Sequence, residues 1–340
     1  MSKDPKKKPV SSNKDIEKTF GRVLSMGSDL IQSKKKLKVL SVSPKLDIAL
    51  NGGIEEGSWV VISGDPKVGK TTTCLQICKN AQDDGRPVIY VDGESRIRAY
   101  NLQGIDGLDL DKFQVVHSPE DGEPLSAEDF LTIAETLIKR PENAGAVLII
   151  DSTSSLLPRA ELEEDVSATM RASLPKLMSH WSKKVRQTIT NNKIIAILIT
   201  HYIANTSGYG KSKLADGGNQ IQYNADTRMN VVRAEPWEEN GRKIGQMVTW
   251  KIDSSSLGAS GTECVSHIKY GKGIDKEKEI IDLAESFGLI DKSGAWYSVP
   301  WMDEIKEQKF QGQAKMYDFL VQNPNVFLRI KEKLKEMLDA

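Results

Sequence analysis

Gly64-Asp65-Pro66-Lys67-Val68-Gly69-Lys70-Thr71 follows the apolar run Trp59-Val60-Val61-Ile62-Ser63 and opens a helical pattern that continues from Thr71 to Asp83. A Gly-x-x-x-x-Gly-Lys-Thr segment between a strand and a helix reads as a phosphate cradle. Glycines let backbone N–H groups turn inward toward phosphate oxygens. Lys70 brings a positive charge to the β- and γ-phosphates, and the Thr71 hydroxyl is a ligand for Mg²⁺. The N-terminus of the helix that begins there adds its partial positive charge at the same point. The eight residues, with Thr72 behind them, are the expected binding site for ATP and its Mg²⁺.

Three further apolar runs flank this segment: Pro87-Val88-Ile89-Tyr90-Val91-Asp92, Ala146-Val147-Leu148-Ile149-Ile150-Asp151 and Ile194-Ile195-Ala196-Ile197-Leu198-Ile199-Thr200. Unbroken apolar character is that of strands buried on both faces. They alternate with helical patterns from Ala127 to Lys139 and from Leu174 to Asn191, so the expected fold is α/β, a mostly parallel P-loop NTPase sheet flanked by helices. Ile203 to Gly218, rich in Gly, Ser, Asn and Lys, has too few apolar residues to pack and is expected to be a mobile loop. Strand patterns resume at Thr227–Arg233, at Met247–Ile252 and near Glu263–Tyr270, which suggests an antiparallel extension. Beyond Gly273 the pattern turns helical and ends in the charged amphipathic stretch Asn325 to Leu338, the expected small α+β C-terminal domain.

The start of the chain differs in composition. Lys3, Lys6, Lys7, Lys8 and then Lys34, Lys35, Lys36, Lys38 flank one amphipathic stretch, Asp15 to Leu30. This reads as a disordered tip and a helical arm, the lysines being either a solvated terminus or contacts to phosphate or to another subunit. The expected organisation is 1–39 as arm, 40–272 as ATPase core and 273–340 as C-terminal domain.

Bulk properties exclude little and point nowhere else. The 340 residues carry 47 basic and 47 acidic side chains, so any nucleic-acid surface must be local. Cys74, Cys78 and Cys264 have no zinc spacing and suit a reducing, cytoplasmic setting. No apolar run is long enough for a membrane span, and none follows the lysine-rich start as a signal sequence would require.

Hydrolysis requires more than a cradle. Asp151, at the end of its strand, is placed to hold Mg²⁺ through water, the alternative being a turn or helix cap, which Asp151-Ser152-Thr153-Ser154 would also suit. Just past the second strand, Asp92-Gly93-Glu94 offers a carboxylate to orient the attacking water, with Glu94 favoured and Asp92 closer to its own loop.

With these residues in this order the chain resembles the RecA family of DNA recombinases, and the likeness runs over nearly its whole length. Asp15-Ile16-Glu17-Lys18-Thr19-Phe20-Gly21 resembles the N-terminal helix through which bacterial members pack on a neighbouring subunit. Leu46 to Gly57 resembles the approach to the first core strand. Tyr270-Gly271-Lys272-Gly273-Ile274 and Gly288 to Ser298 resemble the bacterial C-terminal domain. The resemblance implies a RecA-like core, ATP with Mg²⁺, helical filaments of the protein on single-stranded DNA, pairing with homologous duplex DNA, and service by a single-strand-binding protein or loader. It also implies residue roles. Tyr100 is similar to the family's adenine-stacking tyrosine, with a spacing one residue shorter, and would otherwise be a core tyrosine. His201 stands where bacterial members have a γ-phosphate-sensing glutamine and the phage UvsX branch a histidine; a strand-end histidine satisfied by backbone is the alternative.

Two segments correspond to DNA-binding loops. Glu163 to Arg171 is acidic until Arg171, with Lys176 just beyond, and would otherwise be a solvated loop. Ile203 to Gly218 sets Lys211 and Lys213 among Tyr202 and Tyr209, a mixture suited to phosphates and unpaired bases, and ends in Gly217-Gly218, which in the family couples DNA to ATP.

The likeness fails at Lys251-Ile252-Asp253-Ser254-Ser255-Ser256, where bacterial members place two lysines that reach the neighbouring subunit's ATP. Hydrolysis is expected to be slower or to use another cation. The chain stops at Asp339-Ala340 where many bacterial members have an acidic tail, so control by such a tail is not expected. Two other functions fit a core of this kind: a hexameric motor, which would want a linker helix and an N-terminal domain, and a non-catalytic nucleotide-gated binder, which would be expected to lack Glu94.

Overall fold

The computed structural model describes residues 12–34, 37–163, 173–204, 213–215, 219–239, 241–258 and 260–339. The chain divides into two units, up to Lys38 and from Val39 onward.

In the first unit the expected single arm is two helices, α1 (Asn13–Phe20) and α2 (Gly27–Lys34). Ser12 caps α1 by accepting from the Asp15 amide, and Gly21 ends it at φ 81°, a conformation that costs glycine little and other residues much. That glycine breaks the continuous amphipathic stretch.

In the second unit, α3 (Pro44–Leu50) precedes β1 (Trp59–Gly64), α4 (Lys70–Asp83), β2 (Val88–Asp92), β3 (Phe113–Val116), α5 (Ala127–Ile138), β4 (Val147–Asp151), α6 (Leu174–Asn191) and β5 (Ile195–Ala204). After these come β6 (Lys213–Ala215), the long hairpin β7 (Thr227–Glu239) and β8 (Arg242–Ser254), then β9 (Thr262–Lys269) and β10 (Gly273–Ile274). The sheet order is β10-β9-β8-β7-β1-β5-β4-β2-β3, with β6 paired to β5. From β7 to β3 all neighbours are parallel, and from β7 outward all are antiparallel.

Strands with unbroken apolar runs need cover on both faces. Val60, Ile62, Tyr90, Ile149 and Ile197 face α3 and α4, while Val61, Ile89, Val91, Leu148 and Leu198 face α5 and α6. The second layer is keyed by Trp181 of α6, whose ring meets Trp59 edge-on at 5.5 Å and whose Nε1 donates to the Leu131 carbonyl at 3.0 Å.

Three expectations change. β3, a short edge strand, escapes a search for apolar runs because the exposed Gln114 interrupts it. β7 is not wholly an antiparallel extension: Thr227 to Asn230 lie parallel to Val60 to Ser63 on one side, while Arg228 to Glu239 pair antiparallel with β8 on the other. The stretch expected as a mobile loop contains structure, since β5 runs on to Ala204 and Lys213–Ala215 pairs back on Tyr202 to Ala204. Residues 205–212 and 216–218 lie outside the described residues.

Past β10, α7 (Lys276–Ser286), three short antiparallel strands and the helices Gln313–Gln322 and Pro324–Asp339 enclose a separate apolar cluster around Ile281, Ile290, Met302, Met316 and Ile330. Among the described residues no helix is long and apolar enough to cross a membrane.

Candidate nucleotide site

Parallel pairing puts the carboxyl ends of β1, β2, β4 and β5 on one edge, and the register decides which residues meet there. Gly64 is the partner of His201, and Asp92 of Asp151. Ligands of open α/β sheets bind at that edge.

The turn from β1 to α4 needs its glycines. Gly69 has φ +94°, and a Cβ there would stand 2.7 Å from Ile268 Cδ1. Gly69 caps α4 without any side-chain hydrogen bond, so the first N–H groups of the helix are left for an anion. Lys70 is nearly buried, at 4% exposure. Its ammonium donates to the carbonyls of Gly64 (2.9 Å) and Asp65 (2.7 Å) and stands 3.2 Å from His201 Nδ1. Burial pushes its pKa down, and the anionic neighbours Asp151 and Glu94 oppose that fall.

His201 continues the chain of contacts, its Nε2 lying 2.6 Å from Glu94 Oε1. An ammonium only donates, so Nδ1 accepts from Lys70 and the ring proton sits on Nε2, where it donates to Glu94. Glu94 Oε1 also accepts from Ser152 Oγ at 2.7 Å, and Arg96 stands 3.4 Å from Oε2. The hydrogen bond from His201 leads in holding the Glu94 carboxyl down to about 2, so it is an anion at any working pH. Asp92 accepts instead from the amides of Arg96 and Ile97, within its own loop.

Asp151 closes the group. Its Oδ2 accepts from Thr71 Oγ1 at 2.7 Å and from the Tyr90 hydroxyl at 2.6 Å; the bond from Asp151 to Ser152 is a cis peptide. Burial pushes the Asp151 carboxyl up, against the pull of those two donors. An alcohol and a carboxylate side by side, all oxygen, suit a hard divalent cation. No group of three or more His, Cys, Asp or Glu side chains able to enclose a metal occurs among the described residues.

Lys70, Thr71, Asp92, Glu94, Arg96, Asp151 and His201 line one cavity of about 300 Å³ with Pro66, Lys67, Gly69, Thr72, Ile97, Tyr100, Asn101 and Gln246. Tyr100 is 72% exposed at its wall, so it is not a core tyrosine. Gly64 and Asp65 face Lys70 through their carbonyls instead of lining the cavity, and Val68 packs on the apolar core. Sequence reasoning missed Tyr90, Arg96, Ser152, Asn101 and Gln246. Gln246 comes from β8, 179 positions from Lys67, whose carbonyl its amide reaches at 3.5 Å, and no local pattern marks it.

The expected DNA-contacting residues are not part of this cavity. Lys176 is exposed on the first turn of α6, and Tyr202 is half-buried in β5 with burial pushing its pKa up to about 12. Lys213 lies on β6. Arg171, Tyr209, Lys211, Gly217 and Gly218 lie outside the described residues.

Residues 9–275 match the family model of the RecA N-terminal domain, and residues 278–339 that of the RecA C-terminal domain. The chain is 30% identical over 342 residues to Protein RecA of Lactobacillus johnsonii, covering 99% of this chain and 90% of that protein. It is 30% identical over 329 residues to Protein RecA of Bacillus licheniformis, and 31% identical over 327 residues to that of Mycolicibacterium vanbaalenii, each match covering 95% of this chain and 89% of the relative.

Proposed function

The chain belongs to the RecA family, and from that premise we propose that it is an ATP-hydrolysing recombinase that coats single-stranded DNA as a helical filament, pairs it with homologous duplex DNA and exchanges strands in recombination and repair. The observation that carries this reading is the hydrogen-bonded chain from Lys70 through His201 to Glu94 at the mouth of the cradle. It links the cation that would meet the phosphates to the carboxylate that would orient water.

In this reading the amides of the cradle, the start of α4 and Lys70 bind the phosphates, and Tyr100 stacks on the base. Thr71, and Asp151 through water, would hold Mg²⁺, which when bound would neutralise phosphate charge. Glu94, ionised, orients the attacking water and accepts its proton. His201 has two partners to trade: a γ-phosphate that draws Lys70 and the imidazole toward itself loosens the hold of His201 on Glu94. Arg171, Lys176, Tyr202, Tyr209, Lys211, Lys213, Gly217 and Gly218 would contact the strand, by charge to phosphate and by stacking on bases. Since Lys251 to Ser256 lack the paired lysines that the family resemblance leads one to expect, turnover that is slow or that draws on another cation is part of the proposal. The protein would act in the cytoplasm beside a single-strand-binding protein or loader.

ATP hydrolysis and strand exchange, measured with and without single-stranded DNA beside a Lys70→Ala control, test it. Single-stranded DNA should raise turnover severalfold, and Lys70→Ala should abolish it. If the DNA neither stimulates hydrolysis nor becomes coated with protein, the reading fails.

A further inference from the structure

Tyr90 lies at the centre of β2 and is fully buried. Its ring packs beside Phe113 at 5.5 Å, on the face of the sheet covered by α4. Packing alone asks for nothing more than a phenylalanine there. Among the described residues the hydroxyl has one hydrogen-bond partner, and it is the carboxylate of the nucleotide site: Asp151 Oδ2, at 2.6 Å. Register explains the reach. Tyr90 pairs with Ile149, two residues before Asp151, and a side chain leaning along its strand toward the carboxyl end spans that step.

Oδ2 is also the oxygen that accepts from Thr71 Oγ1, at 2.7 Å. Two donors from opposite sides therefore meet on one carboxylate oxygen, the phenol from the core and the alcohol from the cavity. With the Thr71 proton committed to Oδ2, the lone pairs of that hydroxyl are left for a cation. Asp151 is 6% exposed, so water cannot readily replace a lost donor.

We propose that Tyr90 is a positioning residue for the divalent-cation site: its hydroxyl anchors Asp151 from behind, which fixes the carboxylate and, through it, the orientation of Thr71. This rests on the reading of the cavity as an ATP–Mg²⁺ site. Partners of this kind, one bond removed from a metal ligand, typically change metal affinity by about 10- to 100-fold when lost.

Tyr90→Phe keeps the ring and removes the hydroxyl. The test uses the full chain with Mn²⁺ as probe, the free ion followed by its paramagnetic resonance in the presence of a slowly hydrolysed ATP analogue. Nucleotide binding in excess chelator and the thermal midpoint are read in parallel. Phe113→Leu serves as a packing control, since it disturbs the same ring without touching the hydroxyl. Tyr90→Phe should weaken Mn²⁺ binding on the order of 10-fold, with chelator-insensitive nucleotide binding unchanged and Phe113→Leu leaving Mn²⁺ affinity at the wild-type value. Equal Mn²⁺ affinity in wild type and Tyr90→Phe overturns the role of Tyr90 while the ATP-site reading stands. Equal weakening by Tyr90→Phe and Phe113→Leu, in step with their loss of thermal stability, overturns it too, as mere packing. A wild-type protein that binds neither nucleotide nor Mn²⁺ with nucleotide overturns the site itself and this role with it.

Discussion

Glu94 and Glu279 each sit in a knot of ionisable side chains, and their surroundings push them in opposite directions. Glu94, at the cavity, is held down to about 2 chiefly by the His201 hydrogen bond. Glu279, on α7 at the seam between the core and the C-terminal cluster, is pushed up to about 7 by burial, against the hydrogen bond that its Oε2 accepts from the Lys45 amide. Around it, Asp282 takes Lys45 at 2.6 Å and Gln313 at 2.8 Å, and pairs with Lys278 as well. The seam is closed: Glu279 is fully buried, and Lys45 and Lys278 are both spent on Asp282. At the cavity the groups are equally well bonded, yet every one of them borders open space where a ligand could replace a neighbour. Buried charge alone therefore does not mark a site; exchangeable contacts facing a cavity do.

The largest effect that could break this contrast is at Glu94. Glu94→Gln keeps a side chain of the same shape but cannot take a proton from water. Its kcat for ATP hydrolysis should fall roughly 10²- to 10⁴-fold, the usual loss for a general base, with nucleotide affinity within about 3-fold of wild type because uniform binding is untouched. Turnover near the wild-type rate would mean that Glu94 is as structural as Glu279.

How much of this was legible beforehand depends on whether a signal is local. The cradle is eight consecutive residues, and Glu94, Asp151 and His201 each follow or end an apolar run, so a parallel sheet had to bring them to one edge. Tyr90 reads in sequence as one more apolar member of a buried strand. Only the register of β2 against β4 shows its hydroxyl beneath Asp151. Gln246 and the seam around Glu279 are products of tertiary packing between distant segments, as the 234-residue separation of Lys45 and Glu279 illustrates. The break in the arm was written in Gly21, but an amphipathic period on both sides of a glycine does not say whether the helix bridges it.

An intermediate effect is expected at Glu279 itself. Its folded pKa, about 7, lies above the ordinary value of 4.5, so its contribution to stability is fully present below about 4.5 and is lost as pH rises through about 7. Glu279→Gln does not titrate there and still accepts from the Lys45 amide. Denaturant unfolding should find the two proteins similar near pH 5, and the variant more stable near pH 8 by on the order of 2 kcal/mol. Parallel pH dependences in the two proteins would show that the seam is not as dry as its closure implies.

The smallest effects sharpen the comparison most, because they set one lysine against another. Lys45→Met removes one partner of Asp282, which keeps Lys278 and Gln313, so the loss of stability should be under about 1 kcal/mol. ATP hydrolysis should be unchanged. Lys70→Met removes a nearly buried ammonium whose charged form is disfavoured by burial, so the unliganded protein should hold its stability or gain slightly, while phosphate binding is lost. A residue kept where burial works against its charge is there for what it meets in the cavity. If Lys70→Met instead destabilised the unliganded chain more than Lys45→Met does, the cavity cluster would be a structural knot like the seam, and the distinction drawn between them would fail.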